Sequence, residues 1–170
     1  GRPQWVPTLI MIPFLLAGVG LIVFFLRQLL IATGIGPTLM EISDHPLRPG
    51  ETRRLFVSQT GRLRMNAIVV HLVCEEHVQY RQGTDTRAET RRVHRQEIYE
   101  RKQFEIHRGE PLEVECDFVV PVGAMHSFKS DNNEIRWSLV VEGDIVGWPN
   151  YKRSFPVIVS PHASKEGAVR

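Results

Sequence analysis

The chain has 170 residues, 42% hydrophobic and 24% charged, with a formal net charge of +2. That length leaves room for one domain beside any anchor. The excess charge is carried by Arg2 and Arg27, so no global basic field points to nucleic acid. The chain opens on Gly rather than Met, so a processed or missing upstream segment is expected.

No charged residue occurs between Trp5 and Leu26, a run of Leu, Ile, Val, Phe and Met with a few Gly and Pro. At 1.5 Å per residue it is about 33 Å long, enough for a hydrocarbon core of roughly 30 Å. It lacks the polar face of a core helix. It also continues past Arg27-Gln28 into Leu29-Leu30-Ile31-Ala32, further than a signal-peptide apolar region does. A single-pass transmembrane helix is therefore expected, with Trp5 as an interfacial anchor and Arg27 snorkelling to the headgroups at the other end. Pro13 should kink the span or free a carbonyl for a neighbour. Gly18 and Gly20 offer a small-residue patch on which a second helix can pack. The span holds no His, so it offers no imidazole to haem or chlorophyll. Thr33-Gly34-Ile35-Gly36-Pro37 is a helix stop, which makes residues 1–36 the anchor and linker.

From Thr38 onward the apolar period is two. Leu39 to Ile42, a turn at His45 to Gly50, and Arg54 to Val57 come first. Between Met65 and His77, Ile68, Val70, Leu72 and Cys74 face one way, and Val69, His71, Val73 and Glu75 the other. Arg91 to Ile106 is one bent strand or a hairpin. Leu112, Val114, Cys116, Phe118 and Val120 alternate with Glu113, Glu115 and Asp117, as in a sheet with one buried and one wet face. Trp137, Leu139 and Val141, then Phe155, Val157 and Val159, complete seven or eight strands separated by Gly, Pro and Asn turns. The pattern predicts an all-β antiparallel sandwich over residues 37–161, followed by a flexible tail at 162–170.

Chemistry is sparse. Cys74 and Cys116 fall on apolar strand faces, where they are either small hydrophobes or, in an oxidising compartment, a disulfide. Neither has the spacing of a metal site, and the scattered histidines read as surface residues. Glu113, Glu115 and Asp117 are the wet side of an amphipathic strand rather than paired catalytic acids. No Gly-x-Ser-x-Gly elbow or phosphate-binding Gly loop occurs, so a non-enzyme without cofactors is expected. One stretch stands out in charge. Arg87, Arg91, Arg92, Arg95, Arg101 and Lys102 interleave with Glu89, Glu97, Glu100 and Glu105, either as edge protection or as a contact for an acidic partner or anionic headgroups. Trp148 and Tyr151 are candidates for an aromatic loop pocket within Gly143 to Asn150.

The turn Arg48-Pro49-Gly50-Glu51, the strand Asn66 to Cys74, Arg108-Gly109-Glu110-Pro111, Phe128-Lys129-Ser130 and Ile135 to Val141, closed by Tyr151 and Phe155 to Pro161, resemble the arrestin-like β-sandwich superfamily. The resemblance covers about residues 37–161 and is to the bacterial single-lobe, membrane-tethered form. It implies an arrestin/immunoglobulin-like sandwich that binds other proteins through edges and loops without catalysis.

Two functional classes follow. One is a structural or adaptor subunit, with its helix in a larger membrane complex and its sandwich on partner subunits. The other is a membrane-tethered sensor or ligand-binding domain. The expected partners are other integral membrane subunits and the bilayer, with no nucleic acid and no small-molecule substrate. Arg27, Arg48, Arg53 and Arg54 outweigh Arg2, which places the domain on the cytoplasmic side of an inner membrane.

Overall fold

The computed structural model describes residues 5–83 and 85–161. The Trp5 side chain and the tail 162–170, which the sequence assigns to an anchor and a flexible end, lie outside the described residues. Helix α1 (Trp5–Gly34) runs through Pro13 without interruption. Its window Met11–Leu29 has a mean hydropathy of 2.0 and no part of it is buried. By length and composition it can cross a membrane, and it is no core helix of this domain.

Among the described residues eight strands follow: β1 (Thr38–Ile42), β2 (Thr52–Gln59), β3 (Leu63–Gln82), β4 (Asp85–Ile106), β5 (Leu112–Val119), β6 (Phe128–Lys129), β7 (Asn133–Ile145) and β8 (Tyr151–Val157). They form two antiparallel sheets, β1-β2-β5 and β4-β3-β7, with β6 and then β8 pairing along the free side of β7. Arg91 to Ile106 belongs to one strand, and the hairpin turn lies before it, where Gly83 takes a φ of +68°. Register shifts opposite Val70/His71 and Cys74/Glu75 leave Ile98 and Val93 as extra residues that bend β4.

The core lies between the sheets. Leu55, Val57, Leu112 and Phe118 meet Ile68, Val70, Leu72, Cys74, Trp137, Leu139 and Val141, while Glu113, Glu115 and Asp117 face solvent as the alternation requires. The other face of β3 is drier than the alternation suggests, since Val73 and His71 are buried there along with Val140 of β7. His71 is thus not a surface histidine.

The registers fix which loops share an end. Thr38 pairs with Gln59, Gln59 with Leu112, Leu63 with Ile106, Met65 with Ile145 and Gly143 with Tyr151. The turns at 60–62, 107–111 and 146–150 therefore lie at the end that receives α1. The β3–β4 ribbon runs the other way, beyond its last pairing with β7 at Val78.

Candidate functional site

The junction between helix and sandwich gathers a dense set of polar side-chain bonds. Ile35, one residue past α1, is 1% exposed and part of the core. A helix leaves its last carbonyls without intrahelical partners, and here side chains from distant strands supply donors to the residues that follow. Arg153 of β8 donates to Ile35 O (3.2 Å), Gly36 O (2.9 Å) and Thr38 Oγ1 (2.7 Å). Gln59 is fully buried, and its Nε2 donates to Gly36 O at 3.0 Å and Thr60 O at 2.7 Å. Its Oε1 accepts from Tyr151 Oη at 3.0 Å and from Thr38 Oγ1. Bonds of this kind offset the cost of burying a polar group. Burial pushes the Tyr151 phenol up to about 12, against the smaller lowering effects of Arg153 and Thr38. Two glycines permit the close packing. A Cβ on Gly143 would lie 2.1 Å from the Tyr151 ring, and one on Gly36 would lie 2.8 Å from Thr60 backbone.

The charged ribbon divides into paired and unpaired cations. Arg95 Nη2 lies 3.0 Å from Glu142 and 3.1 Å from His71 Nε2. An arginine cannot accept, so Nε2 is the imidazole acceptor and the proton sits on Nδ1, which is buried without a partner. Burial first, then Arg95, lowers the His71 pKa from its ordinary value, while Glu142 and Glu97 act in the opposite sense. Arg92 is within 3.9 Å of Glu75, Lys102 within 3.0 Å of Glu100, and Arg101 stacks 5.0 Å from the Phe104 ring centroid. Arg87 and Arg91 are exposed and make no ion pair among the described residues. Arg91 pairs in register with Glu76, thirteen residues along β3 from Leu63, about 43 Å at roughly 3.3 Å per residue.

Trp148 and Tyr151 do not form one pocket. Tyr151 is buried at the junction and lines a cavity with Ala67, Val69 and Lys152. Trp148, 40% exposed, lines a separate cavity of about 390 Å³ with Arg62, Arg64, Ile106, His107 and Val146. In α1, Gly18 and Gly20 have nothing within 4 Å of an added Cβ, so their patch is open, and Arg27 is exposed. Cys74 and Cys116 are both free thiols. Burial, aided by Glu75 and Glu76, pushes Cys74 up to about 11, and burial with Asp117 raises Cys116. Among the described residues no three His, Cys, Asp or Glu side chains group as a metal site.

Sequence reasoning missed Gln59 and Arg153. Apart from Thr60 beside Gln59, their hydrogen-bond partners lie 21 to 118 positions away, which no local pattern encodes. The only trace is compositional: Gln59 is a polar residue ending an apolar strand, and polar residues buried at strand ends need partners.

No family model matches the chain, and no curated protein matches it. The two antiparallel sheets, with a single helix before them among the described residues, make the domain a β-sandwich, a fold that agrees with the expected arrestin-like one. Among solved structures, the crystal structure of Spo0M, a sporulation control protein from Bacillus subtilis, matches 76% of this chain with a TM-score of 0.58 and 16% identity. The match spans 51% of Spo0M, about half its length, and the likeness is one of fold.

Proposed function

We propose that the protein is a non-enzymatic, membrane-anchored structural or adaptor subunit of a bacterial inner membrane, with α1 packed in a larger membrane complex and the sandwich docked on partner subunits. The observation that carries this reading is the surface of α1. Phe14, Leu15, Leu16, Leu21, Ile22, Phe24 and Phe25 are 59–70% exposed all round the helix. Apolar surface on that scale is covered by lipid or by protein. The open face at Gly18 and Gly20 suits a close helix neighbour.

The unpaired Arg87 and Arg91, far along the ribbon from the end that receives α1, support an acidic protein surface as the ribbon's partner rather than the headgroups at the anchor. The sensor alternative draws no support, because Trp148 and Tyr151 line different cavities. A cytoplasmic sandwich agrees with the free state of both cysteines. Exchanging residues 5–34 for an unrelated spanning helix tests the proposal: the sandwich should stay membrane-bound and folded but lose its membrane partners. Retention of the same partners would refute a packing role for α1.

A further inference from the structure

We infer that the end of the sandwich beside α1 is a second membrane contact, in which the turn carrying Val146 and Trp148 enters the interface and Arg62 and Arg108 bind anionic phospholipid headgroups. The inference rests on the anchoring role of α1 proposed above.

The first step is depth. The apolar window Met11–Leu29 has 19 residues, about 28 Å of helix, which matches a hydrocarbon core of roughly 30 Å. Gly34 lies five residues further, about 7.5 Å, which crosses a headgroup layer of roughly 5–8 Å. The chain does not then wander away. Ile35 is buried in the sandwich and Gly36 O is held by Arg153 and Gln59. Gly61 packs on the same residue, with a Cβ position only 3.3 Å from Gly36 N. Arg62, next in sequence, is therefore held at headgroup level by a short and fixed connection.

The second step is chemistry. The turn Ile145 to Trp148 is closed by Trp148 N donating to Ile145 O at 3.3 Å, with Gly147 at a φ of +73°. It leaves Val146 43% and Trp148 40% exposed at the end of the domain. An exposed Trp beside an apolar neighbour is the residue type that settles at a membrane–water interface. Around it, Arg64 is occupied by Glu105 at 2.8 Å, whereas exposed Arg62 and Arg108 have no ion pair among the described residues. Two unpaired guanidinium groups at headgroup depth match phospholipid phosphate.

The test uses the full chain in nanodiscs of zwitterionic or anionic phospholipid. Trp148 emission is isolated as the difference between the protein and its Trp148→Phe variant. The expected result is strong quenching of that emission by acyl-brominated lipid and weak quenching by aqueous iodide. Anionic lipid should deepen the contact, and Arg62→Gln and Arg108→Gln should each lower the docked-to-undocked ratio about fivefold, as high salt also does. Circular dichroism checks that these variants stay folded. Alkaline extraction separates the two readings. Release of the chain at high pH would overturn the anchor and this contact together. Retention with Trp148 open to iodide and untouched by brominated lipid would overturn the contact alone.

Discussion

Gly143→Ala probes the junction with a single methyl group. The new Cβ would lie 2.1 Å from Tyr151 Cε1, 2.5 Å from Cζ and 2.8 Å from Cδ1, so the ring must move. Tyr151 is 5% exposed and bonded through its hydroxyl to Gln59, so movement breaks a buried hydrogen bond and shifts the ring under Arg153, whose guanidinium lies 5.5 Å from the ring centroid. Overpacking costs about 1–3 kcal/mol and the lost hydrogen bond about 1 kcal/mol, giving about 2–4 kcal/mol in all. For a domain of this size each kcal/mol lowers Tm by roughly 3–5 °C, so the expected drop is about 6–20 °C, read as loss of the β-sheet circular dichroism signal in mild detergent. In a Tyr151→Leu background the cost of Gly143→Ala should shrink, because the clash partner is gone. Equal melting of Gly143→Ala and the parent protein would refute the packing argument, and an undiminished cost in the Tyr151→Leu background would refute its assignment to the ring.

Because His71 has its pKa held below 6.5, the unfolded chain takes up a proton that the native chain refuses as pH falls through 6.5. Its contribution to stability is complete above that pH and is lost as pH falls towards the folded value; urea titrations should show this slope, and His71→Gln should flatten it. Native thiol labelling at pH 8 should modify half-buried Cys116 before Cys74, whose thiol is pushed up to about 11, and denaturation should equalise the two. Arg87→Glu with Arg91→Glu should change stability by no more than about 0.5 kcal/mol while weakening partner retention in pull-downs. Arg95→Glu sets a carboxylate against Glu142 and uncovers His71, so thermal melts should show a further loss of up to about 1 kcal/mol.

The helix and the strands around Ile68 to Cys74, Leu112 to Phe118 and Trp137 to Val141 were legible because each has one dominant period. The ribbon was not. Residues 85–93 are exposed on both faces, so the one-sided apolar pattern that marks a strand is missing, and two extra residues in β4 shift its phase. His71 was misread for a related reason: strand alternation assigns a side chain to a face but does not say that Arg95 and Glu142 will cover that face. Ile35 and Gly36, which the sequence assigns to the linker, are held by the sandwich through residues that only tertiary structure brings near. Trp148 and Tyr151 are three positions apart yet diverge, because Trp148 belongs to the turn closed onto Ile145 through Gly147 whereas β8 begins at Tyr151.

The central claim is that α1 spans a membrane as part of a hetero-complex. The most direct measurement is native mass spectrometry of the full chain released from its own membrane in mild detergent, alongside the variant Gly18→Leu with Gly20→Leu. The account predicts a stoichiometric assembly with other integral membrane proteins, weakened when the small-residue face is filled. A monomer at every concentration, or an assembly indifferent to both substitutions and to exchange of the helix, would contradict it.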